Sequence, residues 1–270
     1  MYIRAMKWSA VITTYNSEQV IGRALESLQA LASSEKPVDI VVVDNASSDD
    51  TVSVIKSCGI AVTTVLNSRN LGLSKANNLG AAAAEGDSLL FMNPDVEVLP
   101  GAVTAMHRLQ ETHPDAAIIG PAMTDENGVR QSTARTWPGL SVIAARRTVL
   151  GKSPWGRQIS SDHLNRFHNT SGPSTPHWLV GAAMWLTPAG RERVGLMSEK
   201  YFLYFEDVEW CWRAWHKHME VWYEPEAEVR HVCRRESASG GRTLKYHLCS
   251  MLRFTATHPS VLLGRGPGRT

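Results

Sequence analysis

Short apolar runs alternate with segments of helical periodicity over the first hundred residues of the chain. Four runs predict buried strands: residues 8–13, 39–43, 61–66 and 89–92. The segments between them predict helices, and in the first of these Ile21, Ala24, Leu25 and Leu28 fall on one face at helical spacing. Because each strand returns to the next through a helix, we expect a parallel sheet with right-handed crossovers.

Polar residues predict where the first two helices begin. Asn16 with Gln19 fits a capping box for a helix over residues 17–31. After the second strand, Ser47 or Ser48 is placed to cap the next helix. We therefore expect a side-chain cap at both helix starts.

The second half of the chain departs from strict alternation. Asn127-Gly128 predicts a hairpin, and the Arg-, Ser-, Pro- and Gly-rich residues 133–174 are interpreted as a long, partly mobile excursion that could serve as a lid. The other expected elements are a helix from Pro100 to residue 112, a strand over 116–119, a strand over 177–186, a short helix capped by Thr187-Pro188, a helix beginning at Glu206, and strands over 220–223 and 227–232.

The strand at residues 89–92 ends abruptly in Asn93-Pro94-Asp95. In open parallel sheets, ligands bind beyond the carboxyl ends of the strands, so Asp95 would stand at the mouth of a crevice where its carboxylate can meet a cation. The alternative is a Pro-Asp turn with no further role.

Two carboxylates, Glu206 and Asp207, follow the aromatic residues 201–205 at the expected start of a helix. The helix dipole stabilises an ionised carboxylate while aromatic packing shields it from water, and such opposing effects can tune a general base. Acidic residues are also common at helix starts without any catalytic role. His231, on the last expected strand, is either a metal ligand or a buried core histidine.

Composition narrows the class of protein and its partners. Of the 270 residues, 43% are hydrophobic and 20% charged, which is typical of a globular protein. Residues 35–115 contain 11 Asp and Glu against 5 Lys and Arg, whereas residues 229–270 contain 1 against 8. The acidic part favours a site for a cation or a polar ligand. The basic tail favours contact with phosphate or an anionic membrane surface, or is a solvated segment.

The sequence also indicates the cellular compartment and argues against two classes of nucleotide-binding protein. Four scattered cysteines without a C-x-x-C pair favour a reducing, cytosolic compartment. The N-terminus has no signal-peptide pattern, and no apolar run approaches the roughly 18 residues of a membrane span, so membrane contact should be peripheral. Neither G-x-G-x-x-G nor G-x-x-x-x-G-K-[ST] occurs, which argues against dinucleotide-binding and P-loop proteins.

Taken together and in order, the motifs resemble those of the family-2 inverting glycosyltransferases with the GT-A fold, within them the bacterial rhamnosyltransferase-like branch. The matching stretches are ITTYN (12–16), VVVDNASSDDT (41–51), NSRNLGLSKANNLG (67–80), FMNPDV (91–96), GAAMWLTP (181–188), YFLYFEDVEWCWR (201–213) and the later His231.

This resemblance covers about residues 8–255. It implies an α/β fold with a Rossmann-like, mostly parallel sheet flanked by helices and a mixed C-terminal part. It also implies a nucleotide-sugar-binding half (residues 1–120), an acceptor-binding and catalytic half of the same domain (121–255), and a basic tail (256–270) that could be disordered.

The resemblance also implies roles for single residues on the donor side. Asp44 would recognise the nucleotide base, and Thr14, Asn16, Arg69 and Asn78 would lie near the donor.

For the metal and the reaction, the implied residues come from the two later motifs. Asp95 would bind Mg²⁺ or Mn²⁺ that bridges the donor diphosphate, with His231 as a second ligand. Asp207 would deprotonate the acceptor hydroxyl, with Glu206 beside it. The family's usual Asp-x-Asp is here Asn93-Pro94-Asp95, and its neutral first position predicts a weakened metal affinity.

We therefore expect a metal-dependent, inverting glycosyltransferase that moves a sugar from a nucleotide-diphosphate donor to a hydroxyl of a lipid-linked or natural-product acceptor. The donor hypothesis is dTDP-L-rhamnose. The enzyme is expected to be cytoplasmic, with peripheral contact at the inner membrane face and no nucleic-acid partner; the oligomeric state is left open. Residues 127–170 and the basic residues after 229, including Arg234, Arg235 and Arg242, are expected to meet the anionic acceptor or the membrane.

Two alternatives remain at this point. A non-catalytic sugar-nucleotide or glycan-binding protein would share the sheet, but the Glu206-Asp207 pair argues against it. A nucleotidyltransferase would share the sheet and the metal, but the first strand is followed by no Gly-rich basic loop to hold a triphosphate.

Overall fold

The computed structural model describes residues 7–167, 172–232 and 242–267. Its first half follows the predicted alternation of strands and helices. The elements are β1 (Trp8–Thr14), α1 (Ile21–Ala30), β2 (Asp39–Asp44), α2 (Thr51–Ser57), β3 (Thr63–Leu66), α3 (Leu73–Ala83), β4 (Ser88–Met92), β5 (Val96–Val98) and α4 (Ala102–Thr112).

The strands β1 to β4 form a parallel sheet in the order β3-β2-β1-β4. Every residue of β1 and β4 is buried, which explains why both strands read as continuous apolar runs. Side chains alternate between the faces of β1: Ile12 packs in one core cluster with Ile21 of α1, and Val11 packs in another with Ala81 of α3. The predicted parallel α/β half is confirmed.

The second half contains further strands and helices. They are β6 (Ala116–Thr124), β7 (Arg130–Gln131), β8 (Ala134–Arg135), α5 (Leu140–Arg147), α6 (Pro154–Asn165), β9 (Trp178–Leu179), β10 (Ala183–Leu186), α7 (Pro188–Arg193), α8 (Glu206–His216), β11 (Glu220–His231) and α9 (Arg242–Thr257), with 3₁₀ helices at Val149–Lys152 and Pro259–Leu263.

The complete sheet becomes mixed in this half. Its order is β3-β2-β1-β4-β10-β6-β11-β5, with β7 paired to β6, while β8 and β9 form a separate two-stranded sheet. Strand β10 runs antiparallel to both of its neighbours, and β11 runs antiparallel to β5. The expected hairpin at Asn127-Gly128 joins β6 to β7, with Gly128 at a φ of 74°. A mixed C-terminal part is thus confirmed.

One close contact fixes α3 against the parallel sheet. A Cβ atom on Gly80 would lie 2.5 Å from Val11 Cγ1 and 3.0 Å from Val43 Cγ2, so only glycine permits this approach. The contact also fixes the position of the loop that precedes α3, at the carboxyl edge of the sheet.

The predicted capping of the first two helices is wrong. Helix α1 begins at Ile21 and α2 at Thr51, and neither has a side-chain cap. Asn16 instead adopts a φ of 51°, its Oδ1 accepts from the Ser48 backbone N–H at 2.8 Å, and its own N–H donates to Ser47 Oγ at 2.9 Å. These polar side chains join two loops to each other rather than serving their neighbouring helices.

Residues 133–174, expected to form a long, partly mobile excursion, contain strand β8, the helices α5 and α6 and a 3₁₀ helix. Ser153 caps α6 by accepting from the Gly156 N–H at 3.0 Å, with Pro154 in the first turn. Ala145 of α5 and His163 of α6 are buried. Ser153-Pro154 is a pattern that predicts the start of a helix, but the composition around it suggested a loop.

Strand boundaries in the second half need three corrections. The expected strand at 177–186 is divided into β9 and β10 by residues 180–182, where the backbone is used in side-chain contacts described below. The two strands expected between 220 and 232 are one strand, β11, with a register shift between Glu224 and Glu228. Strand β6 continues beyond the expected residue 119 because its pairing with β11 extends to Thr124.

The basic tail, expected over residues 256–270, is described as far as residue 267. The 3₁₀ helix Pro259–Leu263 lies there, with Val261 completely buried, and residues 268–270 lie outside the described residues. Arg234 and Arg235 also lie outside the described residues, so the structure does not place them. No helix in the described ranges has both the length and the apolar composition needed to cross a bilayer.

Candidate active site

The carboxyl ends of β1 and β2 place two polar residues side by side. Thr14 and Asp44 are partners in the parallel register, and both are buried. The Ser47 N–H donates to Asp44 Oδ2 at 3.0 Å. Thr14 Oγ1 and Asp44 Oδ1 are buried and have no hydrogen-bond partner among the described residues. Because buried polar atoms are rarely left unpaired, these two oxygens indicate a place for ligand donors.

Asn45, which sequence reasoning missed, holds the loops around this position together. Its Oδ1 accepts from Asn67 Nδ2 at 3.1 Å and from the Leu71 N–H at 2.9 Å, and its Nδ2 donates to Asn70 Oδ1 at 2.9 Å. The loop after β3 is therefore fixed to the end of β2, and its partners lie 22 to 26 residues away in sequence. An Asn in a polar loop gave no sequence pattern that would predict this role.

The other residues predicted to lie near the sugar donor are at the same edge of the sheet. They differ in how far the protein's own hydrogen bonds already occupy them. Arg69 is exposed in the loop after β3, and Asn16 is held by the Ser47–Ser48 contacts given above. Asn78, on α3, donates from Nδ2 to the Met197 carbonyl at 2.9 Å, which leaves its buried Oδ1 without a partner among the described residues. The structure therefore brings Thr14 and Asp44 together, and it uses Asn16 and the Asn78 amide group in protein contacts.

Asp95 and His231 meet although they are far apart in sequence. Strand β5 pairs with β11 so that Val96 lies opposite His231, and the Val232 N–H donates to the Asp95 carbonyl at 3.0 Å. His231 Nε2 lies 3.6 Å from Asp95 Oδ2, and both side chains are mostly buried. This distance exceeds that of a hydrogen bond.

Gln131, another residue that sequence reasoning missed, fixes the tautomer of His231. Gln131 Nε2 donates to the His231 carbonyl at 3.0 Å, so the amide oxygen must face the ring, where Oε1 lies 3.0 Å from Nδ1. An amide oxygen can only accept, hence Nδ1 carries the proton and Nε2 presents its lone pair towards Asp95. Burial lowers the pKa of His231, against the opposing charge of Asp95, which favours this neutral ring.

A divalent cation fits this arrangement. A carboxylate oxygen and an imidazole lone pair face each other at a distance that no proton bridges, and a hydrogen-bonded partner orients the ring from behind. Among the described residues, no further His, Cys, Asp or Glu joins them to make a group of three. The described residues thus offer two charged or imidazole ligands here, and the nearby Asn93 is neutral.

We predict that Gln131→Ala will weaken metal binding by about 10- to 100-fold, because Nδ1 then loses the acceptor that fixes the ring. Titration of Mn²⁺ by electron paramagnetic resonance, with nucleoside diphosphate present, measures the affinity. Gln131→Glu retains an acceptor and should preserve more of it than alanine does. Equal Mn²⁺ affinity in the wild type and the alanine variant would contradict the assigned tautomer.

The two carboxylates at the start of α8 are placed by an unusual backbone. Tyr204 and Phe205 adopt φ values of 67° and 64°, in the left-handed region that non-glycine residues rarely occupy. Glu206 is buried, and its Oε2 has no hydrogen-bond partner among the described residues. Strain of this kind persists only where surrounding contacts enforce it, and it is concentrated at functional sites.

Asp207 is fixed by the residues that interrupt the β9–β10 strand. The Gly181 N–H donates to Asp207 Oδ2 at 3.0 Å, and the Val208 N–H donates to Oδ1 at 2.8 Å. The next residue, Ala182, accepts from the Asn93 N–H at 2.8 Å. Two adjacent residues therefore link the Asn93-Pro94-Asp95 turn directly to Asp207, although these segments are more than a hundred residues apart.

Burial raises the pKa values of both carboxylates, and their mutual repulsion adds to the effect on Glu206. Hydrogen bonds from Gly181 and Val208 and the charge of Arg135 oppose the rise at Asp207. Among the residues that the structure describes, no hydrogen bond from another residue opposes the rise at Glu206. Glu206 is therefore the carboxyl that holds a proton more strongly, and Asp207 is the one that ionises more readily.

A cationic residue beside Asp207 was missing from the sequence-based site. Arg135 on β8 places its Cζ 5.1 Å from the centre of the Trp178 ring, and Nε donates to the Ser132 carbonyl at 3.1 Å. Burial and the nearby charge of Arg146 lower the pKa of Arg135 to about 10. An arginine in a short edge strand gives no sequence pattern, because its position depends on the β8–β9 pairing.

Comparison with known proteins agrees with this architecture. The family model described as Glycosyl transferase family 2 matches residues 9–169. An N-acetylglucosaminyl-diphospho-decaprenol L-rhamnosyltransferase of Mycobacterium tuberculosis is 29% identical over 260 residues, which cover 91% of this chain and 81% of the relative.

Two solved structures show the same fold. GalNAc-T7 with UDP, GalNAc and Mn²⁺ superposes with a TM-score of 0.67 at 18% identity, covering 99% of this chain; the chain spans only 53% of that protein. The mannosyltransferase PcManGT of Pyrobaculum calidifontis, with GDP-Man and Mn²⁺, gives a TM-score of 0.61 at 13% identity and covers 97% and 73% of the two chains.

Proposed function

The chain belongs to glycosyl transferase family 2, and we propose that it transfers L-rhamnose from dTDP-L-rhamnose to a hydroxyl group of a lipid-linked acceptor. Glycosyl transfer itself follows from the family. The sugar and the lipid are proposals, supported by the likeness to the mycobacterial rhamnosyltransferase over 91% of the chain. The structural observation that carries the reaction is the link from Asn93 through Ala182 and Gly181 to Asp207.

The donor nucleotide is proposed to lie at the carboxyl ends of β1 and β2. The unpaired oxygens of Thr14 and Asp44 can accept from N–H and O–H groups of a base and its sugar. Asn45 holds the neighbouring loops, and Arg69 is exposed in one of them. In this arrangement the diphosphate extends from β2 across β1 towards the end of β4.

Asp95 and His231 are proposed to hold a divalent cation, with Gln131 orienting the ring of His231. Such an ion would supply positive charge to the departing diphosphate oxygens. Mg²⁺ and Mn²⁺ are the candidates, and both solved structures reported above contain Mn²⁺. The described residues contribute few ligands, so phosphate oxygens and water would complete the coordination.

Asp207 is proposed as the base. Its Oδ2 and Oδ1 each accept a backbone hydrogen bond, which fixes the carboxylate while free lone pairs remain on both oxygens. A fixed carboxylate next to the sugar can accept the proton of the acceptor hydroxyl as that oxygen attacks the anomeric carbon. Attack from the face opposite the leaving diphosphate is one displacement, so the configuration at the anomeric carbon inverts.

The test is to incubate the protein and Mn²⁺ with dTDP-L-rhamnose and a short-chain polyprenyl-diphosphate-linked N-acetylglucosamine. We expect dTDP and a rhamnosylated lipid to form in equal amounts. UDP-N-acetylglucosamine and GDP-mannose serve as donor controls, and omission of the acceptor controls for hydrolysis. Transfer from a control donor instead would refute the rhamnose proposal. Donor binding without release of any nucleoside diphosphate would favour the non-catalytic alternative.

A further inference from the structure

Large exposed hydrophobic side chains are concentrated in two parts of the surface. Of the 12 described on this protein, four lie between residues 140 and 155 and four between residues 244 and 263. The first group is Leu140, Val149, Leu150 and Trp155, and the second is Leu244, Leu248, Leu252 and Leu263. Clusters of exposed apolar residues, unlike isolated ones, mark interaction surfaces.

The leucines of the second group form a stripe on α9. Leu244, Leu248 and Leu252 follow each other at a spacing of four residues, so they lie along one face of the helix. Leu252 is 64% exposed. The helix is therefore amphipathic with its apolar stripe turned away from the protein core.

The opposite face of α9 packs on the residues that lead into the catalytic carboxylates. Tyr246 stacks on Phe202 with ring centres 4.6 Å apart, and Ser250 Oγ donates to the Leu203 carbonyl at 2.9 Å. Phe254 is fully buried and packs against Phe205. The outward leucines consequently lie on a helix that directly supports the loop before Glu206 and Asp207.

The two exposed groups belong to neighbouring parts of the fold. Gly139, which precedes Leu140, lies so close to Gly264 that a Cβ atom on Gly139 would be 2.9 Å from the Gly264 N. Gly264 directly follows Leu263. Trp137 and the segment after Gly264 also line a common cleft. We call the combined region, residues 140–155 together with the outward face of 244–263, the apolar-basic face.

In the sequence, the two segments that contain this face carry basic residues and no acidic ones. Residues 137–161 contain the basic residues Arg146, Arg147, Lys152 and Arg157 and no Asp or Glu. Residues 242–267 contain Arg242, Lys245, Arg253 and Arg265, again without an acidic residue. Positive charge next to exposed Leu, Val and Trp is the combination that binds an anionic lipid surface, because headgroups attract the charges and the apolar side chains enter the interface.

We propose that the apolar-basic face docks the protein on an anionic lipid bilayer, with α9 lying parallel to the membrane surface. The proposal extends the function proposed above, on which it rests for the lipid-linked acceptor, since docking here would place the α9-supported loop and Asp207 close to the membrane. We favour a membrane over a protein partner because an anionic lipid surface attracts basic residues along both segments, whereas a protein partner gives no reason for acidic residues to be absent from both. A second copy of the chain would meet this face with its own positive charge.

Vesicle co-sedimentation, without donor or acceptor, tests the docking. The full protein is mixed with vesicles of phosphatidylcholine containing one quarter phosphatidylglycerol, and with phosphatidylcholine alone. We expect binding to the anionic vesicles to be at least about tenfold tighter, and to weaken as salt rises from low to physiological strength. Failure to bind anionic vesicles even at low salt would overturn the proposal.

Matched variants locate the contact. Two double variants should each lower vesicle affinity by about tenfold or more. One combines Leu248→Glu with Leu252→Glu, and the other combines Val149→Glu with Leu150→Glu. The control variant combines Leu66→Glu with Val129→Glu, which adds the same charge at exposed hydrophobic residues outside the face. It should change vesicle affinity by less than about twofold. Equal losses in the control pair would show a non-specific charge effect and refute the proposed face.

Further measurements separate the remaining outcomes. The circular dichroism spectrum and melting temperature of each variant should match those of the wild type. A double variant with Leu248→Ser and Leu252→Ser repeats the binding test without added charge. If the wild type dimerises in light scattering but does not bind vesicles, and the variants lose dimerisation, the face serves self-association instead. Vesicle binding without sugar transfer would refute only the proposed function, whereas transfer to a water-soluble acceptor without vesicle binding would refute only the docking face.

Discussion

Asp207→Asn is expected to lower kcat by about 10² to 10⁴ while the protein still folds and binds its donor. The amide nitrogen cannot accept a proton, but the variant keeps the volume of the side chain. Its oxygen can still accept one of the hydrogen bonds from Gly181 and Val208. Steady-state kinetics at saturating acceptor, together with calorimetry of nucleotide binding, separates turnover from binding. A near-normal kcat would remove Asp207 from the mechanism.

Glu206→Gln is the matched control for this substitution. Because burial favours the protonated form of Glu206, the neutral amide imitates the state that already exists at neutral pH, and the loss of turnover should be milder. The raised pKa also has a consequence for stability. The folded protein holds this proton more tightly than the unfolded chain, so the free energy of unfolding should fall as pH rises from about 4.3 through the raised pKa. Denaturant unfolding of Glu206→Gln should show a smaller fall, because only the raised pKa of Asp207 still contributes to it.

The same reasoning gives the pH dependence of turnover. A general base at Asp207, as proposed, would act only when ionised, and burial raises the pKa of Asp207 above that of an ordinary aspartate, about 3.9. The acidic limb of the kcat/KM profile should therefore lie at a higher pH than 3.9. If Glu206→Gln turns over less well than Asp207→Asn, the two assignments must be exchanged.

The candidate site residues that the sequence identified lie on elements with strong local patterns. Strand β4 is buried on both faces, so its apolar run identified both the strand and the turn at Asp95. Asp207 follows an aromatic run at a helix start, and its motif is also part of the family resemblance. In both cases the information lies within about ten neighbouring residues.

The residues that the sequence could not predict act across long separations. Gln131 contacts His231 at a separation of 100 residues, through two strands that each pair with β6. Asn45 and Arg135 likewise owe their positions to loops and strand pairings that no local pattern specifies. The capping error has the same origin, because Asn16 has partners 31 and 32 residues away that compete with the helix it precedes.

Asp95→Ala is expected to abolish the metal-dependent part of donor binding. Within the described part of the chain, the proposed metal site has one carboxylate, from Asp95, and one imidazole nitrogen, from His231, while Asn93 carries no charge. Removal of Asp95 therefore removes the only negative charge from this pair. His231→Ala should weaken binding less and shift the preference from Mn²⁺ towards Mg²⁺, because Mn²⁺ accepts imidazole more readily.

The small number of protein ligands also predicts that metal and nucleotide bind together. Mg²⁺ or Mn²⁺ should bind poorly alone and well with nucleoside diphosphate, whose oxygens complete the coordination. Asn93→Asp supplies a second carboxylate and should tighten binding of the metal alone, which makes it the converse of Asp95→Ala. Calorimetry of dTDP binding in EDTA, Mg²⁺ and Mn²⁺ decides the matter. Equal affinities in all three, with undiminished turnover in EDTA, would mean that Arg or Lys side chains stabilise the leaving diphosphate instead.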